Sequence, residues 1–471
     1  MGTRWGRFEP SSHLCQFPRG SVRPQRERRL VCSAMPSALK PVAMMIGLRV
    51  LALVAGVFFL AVWPSGAAQA SMLDGGGDRR GASVPDLQPA EVEAITPRPF
   101  GYGITVDLVD QPLTQLMNGV AGMHLNWVRQ PVHWGQVEPA PGLYDWSQLD
   151  SIVDSVHVRG LGLLAVIVGT PEWARPAGFN EAHDGPPADP NTLGGFLAVL
   201  SSRYAGRIDA YQIWQDPNII ANWDSATGPS AEDYVRLLSV AYLAIKAGSP
   251  DAQVISAGLD PTAAADGLAA VDDLEYLSIM YQAGFSAWCN VVGVHLNGTS
   301  HPPSDYVDEA GHTSSAFESE SSFFFRHYEA VRRVMVAYGD EETPVWLTQV
   351  GWASLSPAPT GYAYAADVTE EQQADYLIQA FRIAEQIPYI HAMMVDNFNL
   401  STISPSSPAA GFSLIRSDWT ARPALLRLAQ MRQEQILSSA GASYSSARNR
   451  APQSGVKPYL RHSSPEVTLR E

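Results

Sequence analysis

Residues Leu161-Gly-Leu-Leu-Ala-Val-Ile-Val168 form an unbroken apolar run, followed by a helix-like stretch at Thr192–Tyr204 and a second apolar run at Ile208–Trp214. A strand covered by helices on both faces reads this way, because neither face alternates with polar residues. The unit recurs in both directions along the chain. Further strand-like runs stand at Tyr102–Val106, Leu125–Val128, Val254–Ala257, Val291–Leu296, Pro344–Thr348 and Ile390–Val395. Helix-like stretches stand at Leu113–Gly119, Ser147–Arg159, Ala231–Ala247, Asp272–Ala283, Phe323–Tyr338, Thr369–Gln386 and Pro423–Gln433. Eight strands, each followed by a helix, predict an α/β fold: a (β/α)8 TIM barrel in a single large domain over residues 99–435. The doubly wound alternative needs a glycine-rich phosphate loop after its first strand. Phe100-Gly-Tyr-Gly-Ile-Thr-Val106 lacks the third glycine and a helix start, which excludes a dinucleotide fold.

The flanks differ in composition. Residues 1–70 are expected to be a leader with a signal peptide: Val50–Trp63 is an apolar run of 14, Lys40 and Arg49 precede it, and Ala68-Gln-Ala70 supplies a small-x-small cleavage pattern before Ser71. The run is short for a bilayer span of roughly 20 residues. The expected location is therefore outside the cell or in its envelope, with transient or anchored membrane association through an uncleaved leader as the alternative. The Arg-rich stretch before Met35 reads either as a start codon assigned too early or as a nucleic-acid arm. Residues 71–98 read as a Gly- and Pro-rich linker, and 436–471 as a disordered Ser/Pro/Arg-rich tail.

Composition narrows the function. With 46% hydrophobic and 17% charged residues the chain can build a core, and its net charge of −15 argues against nucleic acid as a partner. Nine basic and two acidic residues lie in the first 70, so the remainder is more acidic still. Of three cysteines, Cys15 and Cys32 lie in the leader, leaving Cys289 and no disulfide framework. His295, His301, His312 and His327 lack ligand spacing, so no metal is expected, and nothing calls for a cofactor.

In a parallel barrel the site forms where strands hand over to the following loops. Those positions carry Arg129 with Trp134, then Trp173, then Trp214-Gln215-Asp216-Pro-Asn218. His295 and Asn297 follow at strand six, Gln349 and Trp352 at strand seven, Asp396 and Asn397 at strand eight. Indole faces, amides and one guanidinium suit a sugar: apolar C–H faces stack on rings while hydroxyls pair with amides. A packing role competes at Trp134, Trp173, Trp214, Trp223 and Trp352, and is the simpler account of Trp127, Trp146, Trp288 and Trp346. Arg129 also suits a plain ion pair at the barrel mouth, and His295 a hydrogen-bonded core histidine.

Several ordered motifs resemble glycoside hydrolase clan A, the cellulase and β-xylosidase type of barrel. They are Trp127-Val-Arg129 with Trp134, Glu138-Pro and Tyr144-Asp-Trp146; Tyr211-Gln-Ile-Trp-Gln-Asp-Pro-Asn218; Pro344-Val-Trp-Leu-Thr-Gln-Val-Gly-Trp352; and Gly411-Phe-Ser-Leu with Asp418-Trp and Arg422-Pro423. The resemblance implies a retaining glycosidase with a glutamate acid/base on strand four and a glutamate nucleophile on strand seven. Here those positions hold Asp216 and Gln349, and Gln215 replaces the usual asparagine beside the acid. Retention needs two carboxyl groups roughly 5–5.5 Å apart, and a neutral amide cannot form the glycosyl ester. The expectation is a glycan-binding protein, its partner a polysaccharide or oligosaccharide, with retaining hydrolysis lost or very weak. Two alternatives stand beside it. One is an active glycosidase with Asp216 as acid and a base drawn from Glu172, Asp184, Asp260 or Asp396, across the wider gap of an inverting site. The other is an envelope scaffold without a sugar ligand.

Overall fold

The computed structural model describes residues 99–262, 269–306, 321–359 and 362–450. The expected leader and linker, and the last part of the tail, lie outside the described residues. Eight parallel strands form the sheet: β1 (Gly101–Thr105), β2 (Trp127–His133), β3 (Gly162–Val168), β4 (Ala210–Ile213), β5 (Gln253–Ser256), β6 (Val292–Asn297), β7 (Val345–Gly351) and β8 (Ile390–Val395). Their order is β5-β4-β3-β2-β1-β8-β7-β6. A parallel bridge between Ile255 and Val291 draws the two ends together, and the Gly293 amide donates to Ser256 Oγ at 3.0 Å across that seam. The result is a nearly closed (β/α)8 barrel, as the sequence predicts.

The helices are α1 (Leu113–Gly122), α2 (Trp134–Val137), α3 (Ser147–His157), α4 (Pro190–Arg203), α5 (Ala231–Gly248), α6 (Asp273–Gln282), α7 (Tyr328–Ala337), α8 (Glu370–Glu385), α9 (Leu400–Ile403) and α10 (Pro423–Arg450). Their starts follow local chemistry. Thr369 and Gln372 form a reciprocal capping box at α8, Ser230 caps α5 and Asp272 caps α6, each satisfying amides that a first turn leaves bare.

Among the boundaries that differ from the sequence reading, three stand out. Strand β2 does not stop at Val128 but runs through Pro131 to His133, paired residue for residue with β3. Pro131 lacks an amide hydrogen, but its fixed φ still suits an extended strand. Strand β7 continues past Thr348 to Gly351, so Arg129 and Gln349 lie within strands, not after them. Finally, α10 runs to Arg450, past the limit drawn at 435, although Met431 is its last buried side chain among those described.

Strand periodicity explains where polarity begins. An apolar plug fills the barrel, made of Leu164, Ala210, Ile255, Val291, Trp346, Ala392 and Met394 with Trp127 against them. Side chains two residues apart share a face. One step further along the same strands stand Arg129 above Trp127, Gln212 above Ala210 and Asp396 above Met394; in β7 a register shift between Leu347 and Val350 breaks the alternation, and Gln349 borders the cleft. A dry floor thus carries a polar layer at the C-terminal end of the sheet.

Glycines make room for the largest plug residue. A Cβ on Gly162 would lie 2.8 Å from the Trp127 ring, and one on Gly101 would lie 2.6 Å from the Ala392 Cβ. Trp127 also meets Trp346 edge-on at 4.9 Å between centroids, so the indole has little freedom to retreat. Gly162→Ala is expected to destabilise the fold by about 1–3 kcal/mol, seen as a lower urea midpoint at unchanged slope.

Candidate functional site

The polar layer opens into a cleft at the C-terminal end of the barrel, with about 140 Å³ of room for water-sized molecules. Arg129, Asp216, Gln349, Asp396 and Asn397 all border it, with Trp214 and Gln215 beside them. Asp107, His133, Asp184 and Asn222 complete its polar wall.

Arg129 stands at the floor, 2% exposed. Its Nε donates to Gln212 Oε1 at 3.2 Å, Nη1 to Thr105 Oγ1 at 3.4 Å and Nη2 to Gln215 Oε1 at 3.3 Å. Burial pulls its pKa down to about 10, opposed by Asp396 and Asp216; at neutral pH it remains a cation.

Asp216 is buried by a strained turn. Trp214 and Asp216 both have positive φ, 71° and 47°, in the left-handed region that non-glycine residues enter at a cost of order 1–3 kcal/mol. The turn is clamped by the Asp216 amide donating to the Gly258 carbonyl at 2.8 Å and by Trp214 Nε1 donating to the Asn222 carbonyl at 2.7 Å. The carboxylate then receives His295 Nδ1 on Oδ1 at 2.7 Å and Asn222 Nδ2 on Oδ2 at 3.4 Å. Gly258 matters twice. A Cβ there would lie 2.1 Å from the His295 ring, so glycine alone lets the imidazole reach Asp216.

Other carboxyls are held differently. Burial pushes Asp396 up to about 6, although Arg129 and His295 pull it down. Asp184 is also pushed up to about 6 by burial, despite accepting the amides of Gly169, Thr170 and Gly185. Asp260, 5% exposed, is raised well above the usual carboxylate range by burial, with Asp216 and Asp273 adding to the effect. Glu172 is exposed and does not border the cleft. Among the described residues no group of three or more His, Cys, Asp or Glu side chains could hold a metal ion, and no helix is long and apolar enough to cross a membrane.

The expected sugar-binding residues divide. Trp134 is fully buried, bonded through Nε1 to Glu138 Oε2 at 2.7 Å and stacked on Phe196; it belongs to the helix layer. Trp173 meets it edge-on and donates to the Glu138 carbonyl at 3.1 Å. Trp352 is fully buried too, donating to the His301 carbonyl at 2.7 Å where Gly298 leaves space for its ring. None of these three borders the cleft, and each indole N–H is paired with a protein oxygen. Asn397 borders the cleft, but its Oδ1 already accepts the Leu400 amide and the Ser413 hydroxyl, and its Nδ2 donates to the Ala409 carbonyl. His295 reaches the site through Asp216. The Asn297 side chain lies outside the described residues.

Asn222, His133 and Gly258 were not foreseen. Asn222 adjoins Trp223 in a loop with no motif, and His133 belongs to the part of β2 hidden behind Pro131. Only the spacing of Gly258 after β5 could have marked a close approach.

Comparison with known proteins agrees with the barrel fold. The family model described as glycoside hydrolase family 42, beta-galactosidase, matches residues 111–188. No curated protein sequence matches the chain. A family 39 glycoside hydrolase from the gut symbiont Bacteroides cellulosilyticus WH2 superposes with a TM-score of 0.53 at 19% identity, over 70% of this chain and 63% of its own. A glucosidase from Croceicoccus marinus does so with a TM-score of 0.51 at 14% identity, over 71% and 67%. The chain thus spans less than two thirds of the first of these. The fold is a glycoside-hydrolase-like barrel.

A raised carboxyl gives a signed pH effect. Between its unfolded value near 3.9 and about 6, Asp396 binds more proton in the folded state than in the unfolded one. Its contribution to stability is therefore full below that window and is lost as pH rises through about 6. The difference in unfolding free energy between the unmutated protein and Asp396→Asn, measured by urea titration at several pH values, is expected to shift against the unmutated protein from pH 4 to pH 6.5. A flat difference would contradict the burial of this group.

Proposed function

We propose that the cleft binds a β-linked glycan and that retaining hydrolysis has been lost. The observation that carries this reading is that Gln349, an amide, borders the same cleft as Asp216. A retaining reaction needs an anionic oxygen to attack the anomeric carbon and a second carboxyl to protonate the leaving oxygen. Gln349 offers no such nucleophile, and Asp216 is one methylene shorter than glutamate. A displacement on the order of 1 Å costs about a hundredfold by itself. What the cleft retains is a hydrogen-bonding surface of one guanidinium, carboxyls and amides beside the Trp214 indole, the chemistry that holds hydroxyl-rich rings. The similarity to a family 39 glycoside hydrolase and to a glucosidase supports a sugar as ligand. Export follows from the leader read in the sequence, and an envelope location fits an extracellular glycan.

The test pairs binding with turnover. The unmutated protein should bind β-linked oligosaccharides in calorimetry yet turn over aryl β-glycosides below about 1 per second, the lower end of ordinary enzyme rates. Asp216→Glu with Gln349→Glu should raise the rate at least about a hundredfold. Rapid turnover by the unmutated protein, or no glycan bound, would sink the proposal.

A second reading has its own support. Asp396 borders the same cleft as Asp216, with its pKa raised by burial to about 6, which suits proton transfer near neutral pH. Paired with Asp216 it would give an inverting site. That reading predicts product of inverted anomeric configuration by NMR and a loss on the order of a hundredfold in Asp396→Asn; retention of configuration would rule it out.

A further inference from the structure

A second cavity lies behind the cleft, in the β5–β6 seam, bordered by Ser256, Gly293, His295, Asp273, Met280 and Val331 among others. Two buried polar atoms on its wall have no protein partner: Nε2 of His295 and Oδ1 of Asp273. Their side chains are almost fully buried, and the other atom of each is engaged. His295 Nδ1 holds Asp216 Oδ1, and Asp273 Oδ2 accepts from His327 Nε2 at 2.6 Å.

A buried polar atom left without a partner is destabilising, and proteins meet that cost with buried water. The cavity has about 20 Å³ of room for water-sized molecules, and one water needs roughly 10–15 Å³ by that measure. Apart from Ser256, whose hydroxyl accepts the Gly293 amide and donates to the Ala257 carbonyl, the other side chains of its wall are apolar, so a water there has these two atoms as its natural partners.

We propose that this cavity is a binding site for a single ordered water that joins His295 Nε2 to Asp273 Oδ1. The chain then runs Asp216, His295, water, Asp273, His327, from the cleft to the start of α7. The carboxylate of Asp216 accepts from Nδ1–H, so the Nε2 lone pair accepts one water hydrogen and Asp273 the other. With both ring nitrogens engaged, the imidazole is fixed in tautomer and rotation, and the Asp216 carboxylate in turn. Asp273 is a positioning residue, acting on Asp216 through His295 whether or not the cleft binds a glycan.

The experiment uses the full chain with 15N-labelled histidine, and a crystal structure at a resolution that shows ordered water. A water within about 2.7–3.2 Å of both atoms is expected. Val331→Ile adds one methyl-sized group to the cavity wall and touches no polar atom; it should expel the water and move the His295 Nε2 resonance downfield, as a lone pair that loses its donor does. Asp273→Asn should move the same resonance and leave the histidines remote from the cavity unshifted. A dry cavity in the unmutated protein, or a His295 resonance unmoved by Val331→Ile, would overturn the proposal. Because the water and the resonance are read without ligand, failure here leaves the glycan-binding reading standing.

Discussion

A buried guanidinium sets the terms for everything above it. Arg129 lies at the level where the apolar plug ends, and a charge taken out of water there is tolerable only if several partners surround it. Those partners come from separate parts of the barrel: Thr105 on β1, Gln212 on β4, Gln215 in the turn that follows, and the fields of Asp216 and Asp396. The cation therefore dictates which strand ends must be polar. It also draws two carboxyls into one cleft, which their mutual repulsion would otherwise oppose.

The turn after β4 answers to the same constraint. Gln215 must face Arg129 while Asp216 faces His295, and adjacent residues on an extended strand point to opposite sides. Two consecutive demands on one face are met by leaving the strand: Trp214 and Asp216 take left-handed backbone conformations. The strain is offset by interlocked hydrogen bonds, from the Trp214 indole to Asn222 and from the Asp216 amide to Gly258. Gly258 then closes the circuit, because its missing side chain is what admits the His295 ring. Local irregularity at a site held from several directions is the pattern expected of a preorganised pocket.

Much of this was legible in the sequence, for identifiable reasons. Apolar runs such as Leu161–Val168 announce strands buried on both faces, so the barrel followed from periodicity, and with it the end of the sheet where Arg129, Asp216, Gln349 and Asp396 meet. Tryptophans were harder. An indole on a sugar and an indole in a helix layer demand the same residue, and only the tertiary neighbours separate them: Trp134 stacks on Phe196 and bonds Glu138, Trp352 bonds the His301 carbonyl, and Trp214 alone of these three borders the cleft. The reach of β2 was hidden because Pro131 looks like a strand terminator, yet at that point in the ladder its ring costs one hydrogen bond and no geometry. Asn397 stands at the cleft, as its place after β8 predicts, and its amide also serves the connection that follows.

Charge gives the deepest account of Gln349. The cleft gathers Asp107, Asp184, Asp216 and Asp396 around one arginine, and burial already raises three of these carboxyls. A glutamate at 349 would add a further carboxylate to a region short of cations, and each such charge raises the cost of ionising its neighbours. An amide of the same length removes that repulsion while keeping a donor and an acceptor for a hydroxyl. On the proposed reading, the substitution that forfeits covalent catalysis also relaxes the pocket, in line with the general opposition between a catalytic constellation and the stability of the fold that carries it. On the same reading Asp216 keeps its carboxylate against His295, whereas residue 349 borders a cleft whose only arginine among the described residues is already engaged with β1 and β4.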